Sequence, residues 1–393
     1  MGYEGDLMKN VIVRAPLLSV SGYGVHARQV FEWAKSVETW KVSTQVLNWG
    51  NTTWYIDPNA ENGLIGDIMS RSTNQSKDFD VSIQVQLPNE WDTSIAKFNI
   101  GVTAAVETDK CNPSWIDAVN KMSLVIVPSD HVKRTLQASG NVTTPIHVIG
   151  EWFIPEILTH KQPLDLKLDT SFNFLIVSQM TAQNSSDDRK NILDTLKWMF
   201  DVFKDDKDVG IILKTNFGRG TKIDKKFTQD NVEKFVKQHR KGAFPKIYLL
   251  HGTMSSEEIA RLYRHPSIKS YVNLTRGEGF GLPILEATVA ELPVIATNWS
   301  AHLDFMKLGK FVAVDYTLVD IPASKVDNAI FVPNTKWAQP LEADFKKRLQ
   351  KFRSSYETPR QWARDLSQKC IERFSREAIL KQYNDLLATL EIK

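Results

Sequence analysis

The 393-residue chain has only two cysteines, Cys111 and Cys370. Their wide separation fits no metal-ligand spacing and leaves no disulfide framework to build, so both are expected as reduced thiols. No stretch is apolar enough to span a bilayer, which takes about 20 residues. The N-terminus, Met1-Gly2-Tyr3-Glu4-Gly5-Asp6, is acidic and lacks the apolar core of a secretion signal. A cytoplasmic protein is therefore expected, and Asn-x-Ser/Thr triplets such as Asn51-Thr52-Thr53 carry no weight. A dinucleotide fingerprint is missing as well. Residues 14–28 offer only Gly22 and Gly24, with no acid at the right distance, which argues against a dehydrogenase. Nor do the loops after the expected strands hold an Asp-x-Asp or a histidine cluster, so no metal site is expected.

What is present is ordinary globular material, 42% hydrophobic and 24% charged. The chain is too long for one core of usual size, so two domains are expected. Net charge is +3 but uneven. Residues 1–157 hold 12 Lys/Arg against 17 Asp/Glu, a balance of −5, and the remainder holds 37 against 29, a balance of +8. The second part is thus the better host for a phosphate-bearing ligand.

Short apolar runs alternate with helical spacing along the whole chain. Strands are expected at 11–13, 45–47, 81–85, 98–102, 124–127 and 146–149, then at 174–177, 210–213, 247–250, 270–272, 293–296 and 311–314. Few of them alternate polar with apolar, as befits parallel strands covered on both faces. Between them, segments such as 25–34 and 191–203 repeat apolar residues every three or four positions. Two α/β domains follow, each a Rossmann-like, doubly wound parallel sheet, with ligands expected in a cleft at the strands' carboxyl ends. Residues 154–170 carry two prolines and no periodicity, giving domains of 1–157 and 158–393. The amphipathic segment near 376–390 can pack on its own domain or cross back to the first.

Residues 276–287 read Arg-Gly-Glu-Gly-Phe-Gly-Leu-Pro-Ile-Leu-Glu-Ala. Glycines 277, 279 and 281 permit close approach and positive φ, and Pro283 suits a first helical turn. Strand, glycine loop and helix start make an anion site from free amides and the helix dipole. Glu278 and Glu286 sit beside that site, where carboxylates make sense as acceptors for sugar hydroxyls. Read alone, the same residues also describe a glycine turn with two solvated glutamates.

The spacing of Glu278 and Glu286 resembles the Glu-x7-Glu pattern of retaining glycosyltransferases of the GT-B fold. The run Glu-Gly-Phe-Gly-Leu-Pro-Ile-Leu-Glu-Ala is similar to glycosyltransferase family 4. The likeness covers most of 170–310 and, more weakly, 10–30 and 120–150. It implies that Glu278 contacts the donor sugar and stabilises the reacting centre, that Gly279, Phe280, Gly281 and Leu282 line the donor, and that Glu286 binds ribose hydroxyls. The donor would be a UDP- or GDP-linked sugar, with no cofactor. Arg189 and Lys190, before Asn191, resemble the family's Arg/Lys–Asn helix start, although the usual Gly-Arg after the preceding strand is replaced by Ser178-Gln179-Met180. Lys214 ends a strand and would face the diphosphate as a point charge. His251-Gly252-Thr253-Met254-Ser255 resembles the element that reads the base, with Ser255 or Ser256 also fit to cap the next helix.

In the first domain, Gly22 and Gly24 would face the donor phosphates, and His26 is expected to pack rather than catalyse. Where many relatives carry a histidine, this chain reads Val102-Thr103-Ala104-Ala105-Val106-Glu107-Thr108-Asp109. Glu107 is the catalytic candidate in its place, and Asp109 an acceptor contact. Trp49, Trp54 and Trp91, among Asn51, Gln84, Gln86 and Asn89, suit a sugar ring, as they also suit core or hinge packing. The expected function is retaining, metal-independent transfer of a hexose or pentose to a glycan or small hydroxylated acceptor. Two other readings stay open. One is sugar transfer to hydroxymethylated bases in DNA, to which the lysines of 219–246 point. The other is a nucleotide-sugar-binding protein without activity.

Overall fold

The computed structural model describes residues 8–75, 77–179, 184–218 and 220–390; the acidic N-terminus, Met180 and Arg219 lie outside them. The chain forms two compact units, one of Met1–Val106, Lys110–Glu151 and Glu377–Lys393, the other of Glu107–Asp109 and Trp152–Arg376. The change of unit falls at Glu151–Trp152.

The first unit runs β1 (Lys9–Ala15), α1 (Gly22–Ser36), β2 (Trp40–Val46), α2 (Leu64–Ser70), β3 (Phe79–Val85), β4 (Ala96–Val102), α3 (Trp115–Lys121), β5 (Leu124–Val127), α4 (Asp130–Ser139) and β6 (Ile146–Val148). All six strands are parallel, in the order β2-β1-β3-β4-β5-β6. The winding reverses between β1 and β3, which is where a doubly wound sheet opens a crevice. All four residues of β5 are buried, as its unbroken apolar run requires.

The second unit begins with the short helix α5 (Glu156–Thr159), then alternates β7 (Phe172–Val177), α6 (Ile192–Val202), β8 (Val209–Thr215), α7 (Lys222–His239), β9 (Lys246–His251), α8 (Ser256–Tyr263), β10 (Ile268–Asn273), α9 (Leu282–Val289), β11 (Val294–Thr297), α10 (Leu303–Met306) and β12 (Val312–Val314). Its parallel sheet has the order β12-β11-β10-β7-β8-β9, with the switch between β7 and β10. Strands β13 (Tyr316–Asp320) and β14 (Lys336–Pro340) form a separate antiparallel pair. Helices α11 (Glu342–Ser354) and α12 (Glu357–Phe374) follow. An aromatic core of Phe172, Phe174, Phe203 and Phe352 joins β7 to α6 and α11, with Phe174 stacked on Phe203 at 5.2 Å.

The segment 154–170, without periodicity in the sequence, contains α5 and lies along α8. The Arg264 guanidinium donates to the Ile157 carbonyl and the Leu164 amide to that of Arg261. The last helix, α13 (Arg376–Ala388), belongs with the first unit almost throughout. Tyr383 stacks on Trp33 of α1 at 4.6 Å, and the Trp33 indole N–H donates to Asn384 at 3.1 Å. Cys111 and Cys370 are free and buried, and burial pushes their thiols up to about 11 and about 12, so neither is nucleophilic at neutral pH. Among the described residues, no helix is long and apolar enough to cross a membrane.

Candidate functional site

The switch point of the second unit brings two segments together, residues 184–191 before α6 and 274–281 after β10. Helix α6 begins only at Ile192 because Asn191 adopts a left-handed φ of 53° and the buried Asp188 carboxylate accepts from the Ile192 and Leu193 amides. That cap fixes Arg189 and Lys190 against the glycine loop. The Arg276 amide donates to the Arg189 carbonyl at 2.9 Å, and Arg189 Nη1 donates to the Gly277 carbonyl at 3.0 Å. Arg276 braces the same segment from below. It is 3% exposed, donates to the Ser186 carbonyl at 2.7 Å and lies 3.7 Å from Asp194.

At the tip of the glycine loop Lys190 Nζ lies 2.7 and 2.8 Å from the two oxygens of Glu278. Burial pushes the Glu278 carboxyl up, but Lys190 and Arg189 outweigh it and hold the group below the usual carboxylate range. Glu278 is therefore an ionised carboxylate in a largely dry setting. Its amide donates to Ser300 Oγ at 3.0 Å. Ser300 sits at a φ of +83°, beside the wholly buried His302, whose Nε2 donates to the Thr297 carbonyl at 2.7 Å. Gly281 takes φ +99° and opens α9 with Pro283 in its first turn, as the sequence requires.

Glu286 lies one turn into α9, 9% exposed. Burial pushes its carboxyl up to about 8; hydrogen bonds from the Tyr263 hydroxyl, at 3.3 Å, and the Ile154 amide offset only part of this. At neutral pH it is a protonated acid, able both to donate and to accept a hydroxyl hydrogen bond. An unfolded chain gives up this proton near the ordinary carboxylate range, whereas the folded one keeps it to about pH 8. Rising pH across that window thus favours the unfolded state. The Glu286→Gln variant, which does not titrate, should gain Tm relative to the parent as pH rises from 5 to 8 and keep a constant margin above. A thermal-shift series over pH checks this; a pH-independent margin would mean an ionised Glu286.

The other expected residues divide. Lys214 ends β8, 8% exposed, with Nζ donating to the Gly252 carbonyl at 2.6 Å; burial pulls its pKa down. His251 ends β9, its Nε2 buried without a hydrogen-bond partner among the described residues, and burial with nearby Lys214 pulls the ring's pKa down. Ser255, not Ser256, caps α8, in a reciprocal pair with Glu258. The Phe280 ring does not line the donor side. It is 3% exposed and packs against Phe305 and Phe374, so only its backbone can meet a ligand. Gly279 and Leu282 complete the loop and helix start.

Glu107 and Asp109 depart most from expectation, because the segment 107–109 belongs with the second unit. Glu107 Oε1 pairs with Arg189 at 3.0 Å. Asp109 accepts from the Lys336 amide at 2.7 Å and returns a backbone bond to the Lys336 carbonyl, so it serves β14 rather than the acceptor side. Gly277 permits this docking, since a Cβ there would stand 2.1 Å from the Glu107 carbonyl oxygen.

In the first unit Ser21 caps α1 by accepting from the Gly24 amide at 3.1 Å. A Cβ on Gly24 would strike the Ser19 carbonyl oxygen at 1.9 Å, while Gly22 faces open space. His26 is buried, with its pKa pulled down to about 4 by burial, and is a packing residue. Trp91 is one too: its N–H donates to the Gln84 carbonyl and its ring covers Gly101. Trp54 is 36% exposed and bridges to Ser19. Trp49 stacks on Tyr23 at 4.0 Å. Sequence reasoning missed Arg276, Ser300 and His302. A charged residue just before the glycine run was the available signal for the first.

No family model matches the chain, and no curated protein sequence matches it. Solved structures do. A sucrose-phosphate synthase from Thermosynechococcus elongatus superposes with a TM-score of 0.64 at 14% identity, over 97% of this chain and 98% of that one. Anabaena HepE, in complex with UDP-glucose, gives 0.62 at 11% identity over 97% and 100%. A trehalose-6-phosphate synthase, studied with bisubstrate glycomimetics for transfer with retention, gives 0.62 at 8% over 97% and 99%. At such identities the likeness is one of architecture, and the chain, with its two Rossmann-like units, has the GT-B fold.

Proposed function

We propose that the chain is a retaining glycosyltransferase that takes a sugar from a UDP- or GDP-linked donor. The carrying observation is Glu278: an ionised carboxylate, held by Lys190, in a glycine loop that opens a helix at the switch point. The α9 amides, Arg189 and Lys214 supply positive potential for a diphosphate. Each cation still has unused N–H donors beyond its present bonds. Glu286, eight residues on, offers a protonated acid to the ribose hydroxyls. The bond from the anomeric carbon to the leaving phosphate oxygen breaks, and the acceptor oxygen bonds on the same face. The departing phosphate takes the acceptor proton, so no separate base is needed, in keeping with Glu107 being engaged by Arg189. Glu278 stabilises the positive charge that builds at the anomeric centre. With Arg189, Lys214 and the helix amides in place, we propose that the reaction needs no metal ion.

The test is a thermal-shift screen of nucleotide sugars, followed by turnover of the stabilising donor in excess EDTA. The anomer of the product is read by NMR. Retention with activity intact is expected. An inverted product would remove the retaining assignment, and loss restored by manganese would remove metal independence. No donor binding at all would overturn the transferase reading. Exposed lysines on α7, at 222, 225, 226, 234 and 237, are the one feature that favours a DNA acceptor. Hydroxymethylated duplex therefore belongs among the acceptors tried, with salt varied.

A further inference from the structure

The first unit has a cavity of about 320 Å³ at its own switch point, formed by the carboxyl ends of β1, β2 and β3. Its size is at the lower end of small-molecule sites, which run from roughly 300 Å³ upward, so it suits one ring rather than a duplex. Its walls include Arg14, Leu47, Asn48, Trp49, Gln86 and Glu90. The Trp49 indole is a fixed surface. It stacks on Tyr23, whose hydroxyl is held by the Ala104 amide at 3.1 Å, and the Trp49 carbonyl accepts from Thr52 at 2.9 Å.

The polar groups are fixed as well. Arg14 Nη1 donates to Gln86 Oε1 at 2.7 Å, to the Glu90 carbonyl at 2.9 Å and, at 3.5 Å, to Gln84 Oε1, while its Nε and Nη2 have no partner among the described residues. Gln86 is only 4% exposed, and with its oxygen taken by Arg14 its Nε2 has no partner among the described residues. Glu90 accepts from the Leu87 amide through one oxygen, leaving the other. Asn48 is exposed at the rim. An aromatic wall with planar donors and acceptors matches a pyranose, which has apolar C–H faces and a rim of hydroxyls. The charge balance disfavours a phosphorylated one: Arg14 lies in the field of the Asp92 and Glu90 carboxylates, and a phosphate entering here would meet Glu90 on the wall.

We infer that this cavity is a binding site for a neutral, unphosphorylated monosaccharide ring, the acceptor or its terminal residue, held by Trp49, Gln86, Arg14, Glu90 and Asn48. As an acceptor site it rests on the transferase reading above; as a saccharide site it does not.

Calorimetry and saturation-transfer NMR on the full chain, with a panel of neutral methyl pyranosides, test it. The comparison ligands are hexose 6-phosphates and a short hydroxymethylated duplex. At least one neutral pyranoside should bind, and Trp49→Ala and Gln86→Ala should each weaken it at least tenfold. Asn48→Ala, at an exposed position that cannot disturb folding, should weaken it about threefold. UDP affinity should change less than twofold in all three. The inference is overturned if no neutral pyranoside binds at millimolar concentration, or if binding ignores all three substitutions. Tighter binding of a 6-phosphate or of the duplex, lost on Arg14→Gln, also overturns it. Pyranoside binding as described, with no nucleotide sugar bound at all, would sink the transferase reading and leave this site standing.

Discussion

Glu278→Gln should lower kcat by about 100-fold or more while donor KM moves only a few-fold. Glutamine keeps the shape and can still accept from Lys190, so the loop geometry, set by Ser300, Arg189 and Gly281, stays. Only the negative charge is lost, and that charge matters most when positive charge develops on the sugar. The split between kcat and KM is therefore the diagnostic. A purely structural ion pair would show instead as lost Tm, with turnover nearly normal in the folded fraction. Steady-state kinetics at saturating acceptor, alongside a melting curve, separate the two. Near-normal turnover would remove Glu278 from the reacting centre.

Gly277→Ala should damage both stability and activity. The added Cβ would lie 2.1 Å from the Glu107 carbonyl oxygen and 2.9 Å from its Cβ. The oxygen is backbone, so no side-chain rotation relieves the clash. Either 107–109 is expelled, breaking the Arg189–Glu107 pair and the Asp109–Lys336 bonds, or the loop carrying Glu278 shifts. Overpacking of this kind costs about 1–3 kcal/mol, a Tm loss of about 2–12 °C for a unit of this size. kcat/KM should fall at least tenfold, since the reacting carboxylate moves with the loop. Gly22→Ala, where a Cβ meets nothing within 4 Å, should leave Tm almost unchanged. Equal melting of both variants would show that 107–109 is not packed on Gly277.

The twelve strands of the two parallel sheets all overlap the expected runs, most of them because burial on both faces writes itself into consecutive residues; β2 does so only at Gln45 and Val46, since Lys41, Ser43 and Gln45 alternate with its apolar residues. Strands β13 and β14 were not legible. Residues such as Thr317, Leu318 and Asp320 are exposed, and Lys336 interrupts the pattern, so nothing there reads as a covered strand. The glutamate pair and the helix start could be read for a similar reason: glycine and proline declare backbone geometry locally. The ties of Arg276 to Ser186 and of Glu278 to Ser300 could not, since they join residues 90 and 22 positions apart. The docking of Glu107 beside Arg189 and Gly277 was hidden on the same ground. Local pattern tells where β4 ends, but not that the following three residues dock on a loop 170 positions away. Trp91, open in sequence to either a sugar ring or packing, lies against Gly101, because an indole facing a strand glycine and one lining a cavity look alike in sequence.

The first unit is not continuous in the chain. Its helix α1 presents Trp33 to Tyr383 and Asn384, residues made after the entire second unit. During synthesis the first sheet therefore emerges with an uncovered aromatic surface and waits for more than two hundred residues of the other unit before its last helix arrives. A fragment cut at Glu151 would keep that surface exposed to chaperones and to aggregation. The isolated unit calls for a permuted chain, or for the terminal helix supplied in trans.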